Sequence, residues 1–174
     1  MDKTLISRRF AKAVGTYLDK ADVQRYVASR MAELTGRYIP ADVQERVLEI
    51  GCGTGMFTRM YLKQATPEEM WLNDLCPEVE PYLADVLGGK VHFVAKDAET
   101  LAFPGGQDLI VSCSAVQWFD DLPRFFSGCR RLLHEGGYLA FSTFGPHNTE
   151  EVATLASAGL SYPSLEELRE MLAA

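Results

Sequence analysis

The sequence lacks several features that would place it in common classes of protein. No apolar run approaches the roughly 18 residues of a membrane-spanning helix. The first ten residues lack the uninterrupted apolar core of a signal peptide. We therefore expect a cytoplasmic protein with no membrane partner. The formal net charge of −7 disfavours a nucleic-acid partner, because binding to phosphates requires a basic surface.

Residues that bind metals are also few and scattered. The four cysteines form no C-x-x-C pair, and the three histidines are far apart in the sequence. This distribution predicts no metal site and favours reduced thiols. The residues concerned are Cys52, Cys76, Cys113, Cys129, His92, His134 and His147.

What the chain does contain is typical of one globular domain. Its 174 residues include 47% hydrophobic and 24% charged residues, without an internal repeat or a linker. Apolar strands alternate with helical patterns, which predicts an α/β fold with a doubly wound, mostly parallel sheet. The whole range 1–174 is therefore expected to form a single domain. The predicted strands are 46–50, 70–73, 91–94, 109–112 and 138–143.

Helices are predicted from apolar residues at helical spacing and from their end signals. Capping boxes are expected at Ser164–Glu167 and Asn148–Glu151. The predicted helices are a stripe from Val23 through Tyr26 to Leu34 closed by Gly36, a helix at 56–61, one from Pro77 to Leu87, one from Leu122 to Leu133 ended by Gly136 and Gly137, and a last one after Pro163 with Leu165, Leu168, Met171 and Leu172 on its apolar face.

Residues 47–55 are the most informative stretch of the chain. An apolar strand that contains Glu49 leads into Gly51, Gly53 and Gly55. A dinucleotide-binding turn needs its third glycine five positions after the first, and Met56 occupies that position. The spacing resembles motif I of the class I S-adenosylmethionine (SAM) methyltransferases. In that interpretation Glu49 accepts a hydrogen bond from the methionine ammonium group, and the amino-acid part lies against the glycines.

Further candidate residues follow the predicted strands, because ligands of an open α/β sheet bind at the carboxyl ends of its strands. Asp74, 19 residues after Gly55, is predicted to bind both ribose hydroxyls. Taken alone it would be interpreted as a loop acid or a helix cap, and its spacing from the glycines favours the ribose role. Asp97 is predicted to accept from the adenine amine, or else to be a turn residue. The Ala98 amide would meet a ring nitrogen, and Leu75 and Ala98 would enclose the ring. Cys113 and Ser114 lie where backbone carbonyls would meet the methionine end.

Three segments resemble one narrower family, the malonyl-[acyl-carrier protein] O-methyltransferases of biotin synthesis. Residues 10–24 match its opening pattern F-x-x-A-x-x-x-Y-x-x-x-A-x-x-Q, and 115–118 read A-V-Q-W after the fourth predicted strand. Residues 141–148, followed by 159–168, form the third segment. The resemblance covers essentially the whole chain.

This resemblance implies transfer of a methyl group from SAM to the free carboxylate of a malonyl thioester on acyl carrier protein. A carboxyl group has a pKa near ~4, so the acceptor is already ionised and needs alignment rather than a general base. The resemblance further implies that Tyr17 acts catalytically and that Gln24 completes the cofactor site, both on an N-terminal segment that closes over the cofactor. Gln117 and Trp118 would form a wall of the acyl pocket.

The chain departs from the family pattern at its end. Family members continue with two further strands, one of them antiparallel, beside the fifth strand. We therefore expect a sheet that lacks its last two strands, a C-terminally truncated domain, retained SAM binding and weak methyl transfer. A basic cluster of Lys3, Arg8, Arg9 and Lys12 is expected to contact the acidic carrier protein.

Three alternatives remain beside this interpretation. The first is a SAM-dependent methyltransferase of another small acid or of a quinone precursor. The second is an NAD-dependent reductase, which Met56 and the lack of a Tyr-x-x-x-Lys pair near the fourth or fifth strand disfavour. The third is a non-catalytic interaction protein that binds neither cofactor. The sequence gives no indication of oligomeric state.

Overall fold

A sheet of five parallel strands forms the centre of the protein. The computed structural model describes residues 2–146, 148 and 162–173, with side-chain environments for all of these except 13, 14, 16–20 and 42. The sheet order is β3-β2-β1-β4-β5, with all pairs parallel. The strands are β1 (Arg46–Ile50), β2 (Glu69–Asp74), β3 (Val91–Ala95), β4 (Gln107–Cys113) and β5 (Leu133–Ser142).

The order shows that the sheet is doubly wound. The chain runs outward from β1 to β3 and then returns to place β4 on the other side of β1. The switch point between β1 and β4 is where such sheets bind ligands. The prediction of a parallel, doubly wound α/β fold is therefore confirmed.

Helices cover both faces of this sheet. Short 3-10 turns complete the connections at Ala41–Val43, Pro77–Leu83, Ala98–Thr100 and Val116–Trp118. The α-helices are α1 (Lys3–Lys20), α2 (Asp22–Tyr38), α3 (Met56–Tyr61), α4 (Leu122–Leu132) and α5 (Leu165–Ala173).

Successive residues of the central strands enter different cores, because side chains of a strand alternate between the two faces. Val47 packs with residues of α2 and α3, whereas the neighbouring Leu48 packs with residues of α4 and α5. Large buried aromatic residues include Phe57 and Tyr61 in the first core and Phe125 in the second. Burial on both faces explains why the middle of β4, residues 109–111, is a continuous apolar run.

Helix α2 differs from its predicted apolar stripe. Val23 and Tyr26 are 61% and 72% exposed, whereas Met31, predicted on the same stripe, is buried together with Ala28, Ala32 and Thr35. Tyr26 precedes Ala28 by two residues, which is about 200° around a helix. The predicted stop at Gly36 is also wrong. The helix continues to Tyr38 and ends at Ile39, which is extended because Pro40 follows.

Two other predicted helices are shorter than expected. The helix predicted from Pro77 to Leu87 is a 3-10 turn that ends at Leu83, because Pro81 lies inside it and has no N–H to donate. The helix predicted to end at the glycine pair stops at Leu132, and the next residue begins β5. The strand accommodates Gly136 with a left-handed φ of 87° beside a shift in register.

The capping box that begins the last helix is confirmed. The Ser164 amide donates to the Glu167 carboxylate (2.7 Å), and the Glu167 amide donates to the Ser164 hydroxyl (3.2 Å). Leu168 is buried against α4, but Leu165 is 58% exposed, so the predicted apolar face is narrower. The second predicted capping box, at 148–151, lies outside the described residues.

Among the described residues, no helix is both long and apolar enough to cross a membrane. No cluster of three or more His, Cys, Asp or Glu side chains among them could hold a metal ion. The four cysteines are free thiols.

Shortening a buried side chain at the centre of the sheet should strongly destabilise the protein. Leu48→Ala should lower the free energy of unfolding by about 2–5 kcal/mol, because it leaves a cavity between β1 and α4. Denaturant unfolding measures this change. Leu165→Ala, at an exposed position, is the control and should stay within about 0.5 kcal/mol of wild type. Equal effects of the two substitutions would contradict the assigned core.

Candidate active site

A cleft opens at the carboxyl ends of the strands, beside the switch point. Its floor is formed by the turn after β1, the loops after β2 and β3, and the segment after β4. Helix α1 covers it with Lys3, Ile6, Ser7 and Phe10. Five separate segments thus meet at one site, as expected for a doubly wound sheet.

The turn after β1 depends on its three glycines. Gly51, Gly53 and Gly55 have φ angles of 70°, 53° and 77°, which side-chain-bearing residues rarely adopt. A Cβ at Gly51 would lie 2.3 Å from the Ala115 Cβ, whereas a Cβ at Gly53 would enter open space. Gly51 and Gly53 line the cleft, and Gly55 is not among its lining residues.

Asp74 is joined to this turn by its carboxylate. One oxygen accepts a hydrogen bond from the Gly53 amide (2.8 Å), and the other accepts from the Cys76 amide (2.9 Å). Burial raises the pKa of Asp74, and these backbone donors oppose that shift. The structure therefore brings together the two residues that the sequence predicted to act jointly. The ribose-binding role itself stays a prediction.

Glu49 lies beneath the turn and is not among the residues that line the cleft. Its side chain is buried and accepts a hydrogen bond from the Thr58 hydroxyl (2.6 Å). Burial, with a smaller contribution from the nearby Asp74, raises the pKa of Glu49 to about 8, and the hydrogen bond from Thr58 opposes this shift. In the ligand-free protein the carboxyl is therefore largely protonated at neutral pH.

The loop after β3 is held by an ion pair from α1. One Asp97 oxygen caps the following 3-10 turn by accepting from the Glu99 amide (3.0 Å), and the other lies 2.7 Å from the Lys3 ammonium. Lys3 also contacts the Glu99 carboxylate. Lys3 therefore forms ion pairs inside the cleft. The prediction that grouped it with Arg8, Arg9 and Lys12 as one exposed basic cluster is wrong for Lys3.

Apolar surfaces surround the middle of the cleft. Leu75 and the buried Ala98 both line it, as predicted. Trp118 lines it from the 3-10 turn after β4, where its ring meets that of Phe10 edge to face at 5.9 Å. This ring contact between α1 and the β4 side closes the cleft over its apolar part.

Cys113 and Ser114 also line the cleft at the end of β4. Ser114 has a left-handed φ of 54°, and its amide donates to the Ser142 hydroxyl (3.0 Å). Gln117 does not reach the cleft lining. Its side-chain amide donates to the Ser114 carbonyl (2.6 Å), so it supports this segment from behind.

Besides Glu49, Gly55 and Gln117, two further predicted residues are not among the lining residues that the structure describes. Gln24 is half-buried on α2 and is absent from the lining residues that the structure describes. Tyr17 lies on α1, but its side chain is outside the described part of the structure. Their roles stay predictions.

The sequence analysis missed Thr54, Ile6 and Ser7 as lining residues. Thr54 belongs to the glycine turn, so its position in the motif was a usable signal. Its hydroxyl is buried and has no hydrogen-bond partner among the described residues. Ile6 and Ser7 reach the cleft only because α1 packs over it, and no local sequence pattern predicts that packing.

Comparisons with known proteins agree on one family. Residues 48–141 match the methyltransferase domain family. The malonyl-[acyl-carrier protein] O-methyltransferase of Bacteroides thetaiotaomicron is 49% identical over 173 residues, which cover 99% of this chain and 66% of that protein. The enzyme of the same name from Bacteroides helcogenes is 39% identical, with 99% and 71% covered.

A solved structure shows the same fold at low identity. It is a chain from the complex between the Haloferax volcanii Trm112 methyltransferase activator and a methyltransferase, with a TM-score of 0.78, 20% identity, and 94% of this chain and 74% of that chain covered. The chain therefore belongs to the class I SAM-dependent methyltransferases, within the family of the malonyl-[acyl-carrier protein] O-methyltransferases. It spans about two thirds of the length of these two curated relatives.

The buried Glu49 should give a measurable pH dependence of stability. Its pKa is about 8 in the folded protein and about 4.3 in an unfolded chain. Between these values the folded state holds a proton that the unfolded state has lost, so stability falls as pH rises. In Glu49→Gln this decline should be shallower by up to about 1 kcal/mol per pH unit. Denaturant unfolding from acidic pH to pH 8 measures both slopes, and equal slopes would refute the raised pKa.

Proposed function

We propose that this chain binds SAM in the cleft and methylates the free carboxylate of a malonyl thioester carried by acyl carrier protein. The hydrogen bond that joins Asp74 to the glycine turn carries this proposal, because it places a carboxylate beside bare backbone. The name shared by the relatives supports the acceptor. We further propose that residues 1–174 act as a single domain.

The described residues fit the parts of SAM. The Asp74 carboxylate would accept from both ribose hydroxyls, for which a charged acceptor is well suited. Open space at Gly53 leaves room for the chain that leads to the amino-acid end. The unpartnered Thr54 hydroxyl and the Glu49 carboxyl lie at the same turn. Asp97 would accept from the adenine amine between Leu75 and Ala98.

The cofactor, when bound, supplies an electrophilic methyl group. Among the described residues that line the cleft, the thiols of Cys113 and Cys76 are poor nucleophiles at neutral pH, because burial raises the pKa of both above that of an ordinary thiol. The malonyl carboxylate is itself ionised, since carboxyl pKa values lie near ~4. The attacking electron pair therefore comes from the acceptor, without removal of a proton.

The role of the protein is then to hold the two reactants in line and to exclude water. Alignment alone can lower a barrier by roughly 7–11 kcal/mol in favourable cases. Ile6 and Phe10 of α1, with Trp118 and Phe119 opposite, form an apolar cover over the cleft. Tyr17 follows Phe10 on the same helix, and we retain it as the candidate catalytic residue, with Gln24 as a further cofactor contact.

The outer side of the cover offers a surface for the carrier protein. Arg8, Arg9 and Lys12 are exposed on α1, the helix whose inner side lines the cleft. Lys3 is excluded from this surface, because it is paired with Asp97. A negatively charged carrier attracted to these residues would present its thioester close to the cleft.

Substitution of Asp74 should weaken cofactor binding. Titration calorimetry with S-adenosylhomocysteine should show Asp74→Asn binding about 10–100-fold more weakly, because a charge-assisted hydrogen bond contributes about 1.5–3 kcal/mol. Glu80→Gln, an exposed change on the adjacent 3-10 turn, is the control and should bind like wild type. Wild-type binding of NADH instead of S-adenosylhomocysteine would overturn the proposed cofactor.

Charge reversal on α1 should weaken recognition of the carrier protein without affecting recognition of the malonyl thioester. With Arg8→Glu/Arg9→Glu, we expect affinity for malonyl-acyl carrier protein at low salt to fall by about tenfold or more. Methyl transfer to malonyl-CoA should be unchanged. Arg169→Glu, an exposed change on α5, is the control.

Transfer assays with malonyl-CoA, small acids and a quinone precursor identify the acceptor. A faster reaction with one of these than with the carrier-bound thioester would contradict the assignment. Unchanged carrier affinity in the charge-reversed variant would exclude the α1 surface.

A further inference from the structure

Arg59 connects the two loops that form the ribose end of the cleft. It lies on α3, four residues after Gly55, and its side chain reaches the 3-10 turn Pro77–Leu83 that follows Asp74. No sequence pattern identifies Arg59 as a site residue, and it is not among the cleft-lining residues.

The Arg59 guanidinium group makes five hydrogen bonds. Nη1 donates to the carbonyls of Thr54 (2.5 Å) and Gly55 (3.1 Å) in the glycine turn. Nη2 donates to the Tyr82 carbonyl (2.6 Å), and the Asp85 carboxylate accepts from Nε (2.8 Å) and Nη2 (2.5 Å). The rigid, planar fork of arginine can serve both sides at once, which a lysine ammonium group cannot do in this geometry.

The third glycine of the motif makes room for this contact. A Cβ at Gly55 would lie 2.9 Å from Arg59 Nη1 and 2.7 Å from Leu83 Cδ2. Gly55 does not line the cleft, so its lack of a side chain, beyond permitting the left-handed φ of 77°, leaves room for Arg59 and Leu83.

We propose that Arg59 is a positioning residue that fixes the glycine turn against the loop after β2 and so pre-forms the cofactor cleft. This inference rests on the proposed function, because it assigns the purpose of the contact to cofactor binding. Asp74 bridges the same two segments on the cleft side, through Gly53 and Cys76. The arginine holds them from behind, so the Asp74 carboxylate is already in place when a ligand arrives, which lowers the cost of binding.

The ion pair with Asp85 does not by itself explain the contacts of the Arg59 guanidinium group. The side chain of Asp85 is 60% exposed and that of Arg59 is 35% exposed, and exposed ion pairs contribute little to stability. The three backbone carbonyls are the acceptors that join the loops. Asp85 orients the guanidinium toward them.

The test compares the same substitution at two positions, Arg59 on α3 and Arg46 at the start of β1. Arg59→Lys removes the fork, while Arg46→Lys, at the start of β1 where Arg46 pairs with Glu69 (3.2 Å), is the matched control. Titration calorimetry with S-adenosylhomocysteine should show about tenfold weaker binding for Arg59→Lys only. In the ligand-free protein, the amides of Gly53 and Cys76 should exchange about tenfold faster with solvent, with the core amide of Leu48 unchanged.

The outcomes separate a positioning role from a structural one. Unchanged affinity and unchanged exchange at Gly53 and Cys76 would overturn the inference, and so would an equal increase at Leu48, which indicates general destabilisation. If Arg59→Lys fails to fold, Asp85→Asn keeps the carbonyl contacts and should show the same changes at smaller size. If wild type binds no S-adenosylhomocysteine, the proposed function fails, and exchange in the ligand-free variants still decides whether Arg59 holds the turn.

Discussion

The Asp74 carboxylate is the contact on which the cleft depends. Its two oxygens accept N–H groups from two different segments, the turn after β1 and the start of the loop after β2. The strands β1 and β2 are neighbours in parallel register, so their ends lie side by side before any loop forms. The carboxylate then sets how the loops leave the sheet, and it satisfies two backbone donors that would otherwise lie partly buried without partners.

This geometry determines what kind of chemistry the cleft can support. Of the ionisable groups around it, Glu49 and Cys113 are held protonated by burial, Asp97 is paired with Lys3, and the Asp74 carboxylate accepts two backbone N–H groups. A reaction that needed a strong base would be poorly served. A reaction between an ionised acceptor and a cationic donor needs only alignment of the two reactants and exclusion of water. The apolar residues of α1 that cover the cleft help to exclude water. Family membership and the electrostatics of the cleft thus lead to the same class of reaction.

Local patterns were enough to predict the strands, the glycine turn and the position of Asp74. Strands buried on both faces are continuously apolar, and a turn with φ > 0 requires glycine. Features that depend on distant packing could not be predicted. Lys3 meets Asp97 across 94 residues of sequence, and neither residue carries a local sign of the other. Errors in helix ends had a different origin, because Pro40 rather than Gly36 ends α2, and Pro81 tightens a predicted helix into a 3-10 turn.

The pairing of Lys3 with Asp97 and Glu99 ties the covering helix to the loop at the adenine end. The same carboxylate that would receive the adenine amine is therefore the anchor of the cover. If Asp97 accepts from the adenine amine as proposed, cofactor binding and the attachment of α1 depend on the same carboxylate. Since mobile ions weaken partly exposed charge pairs, the attachment of α1 at this loop should weaken as ionic strength rises.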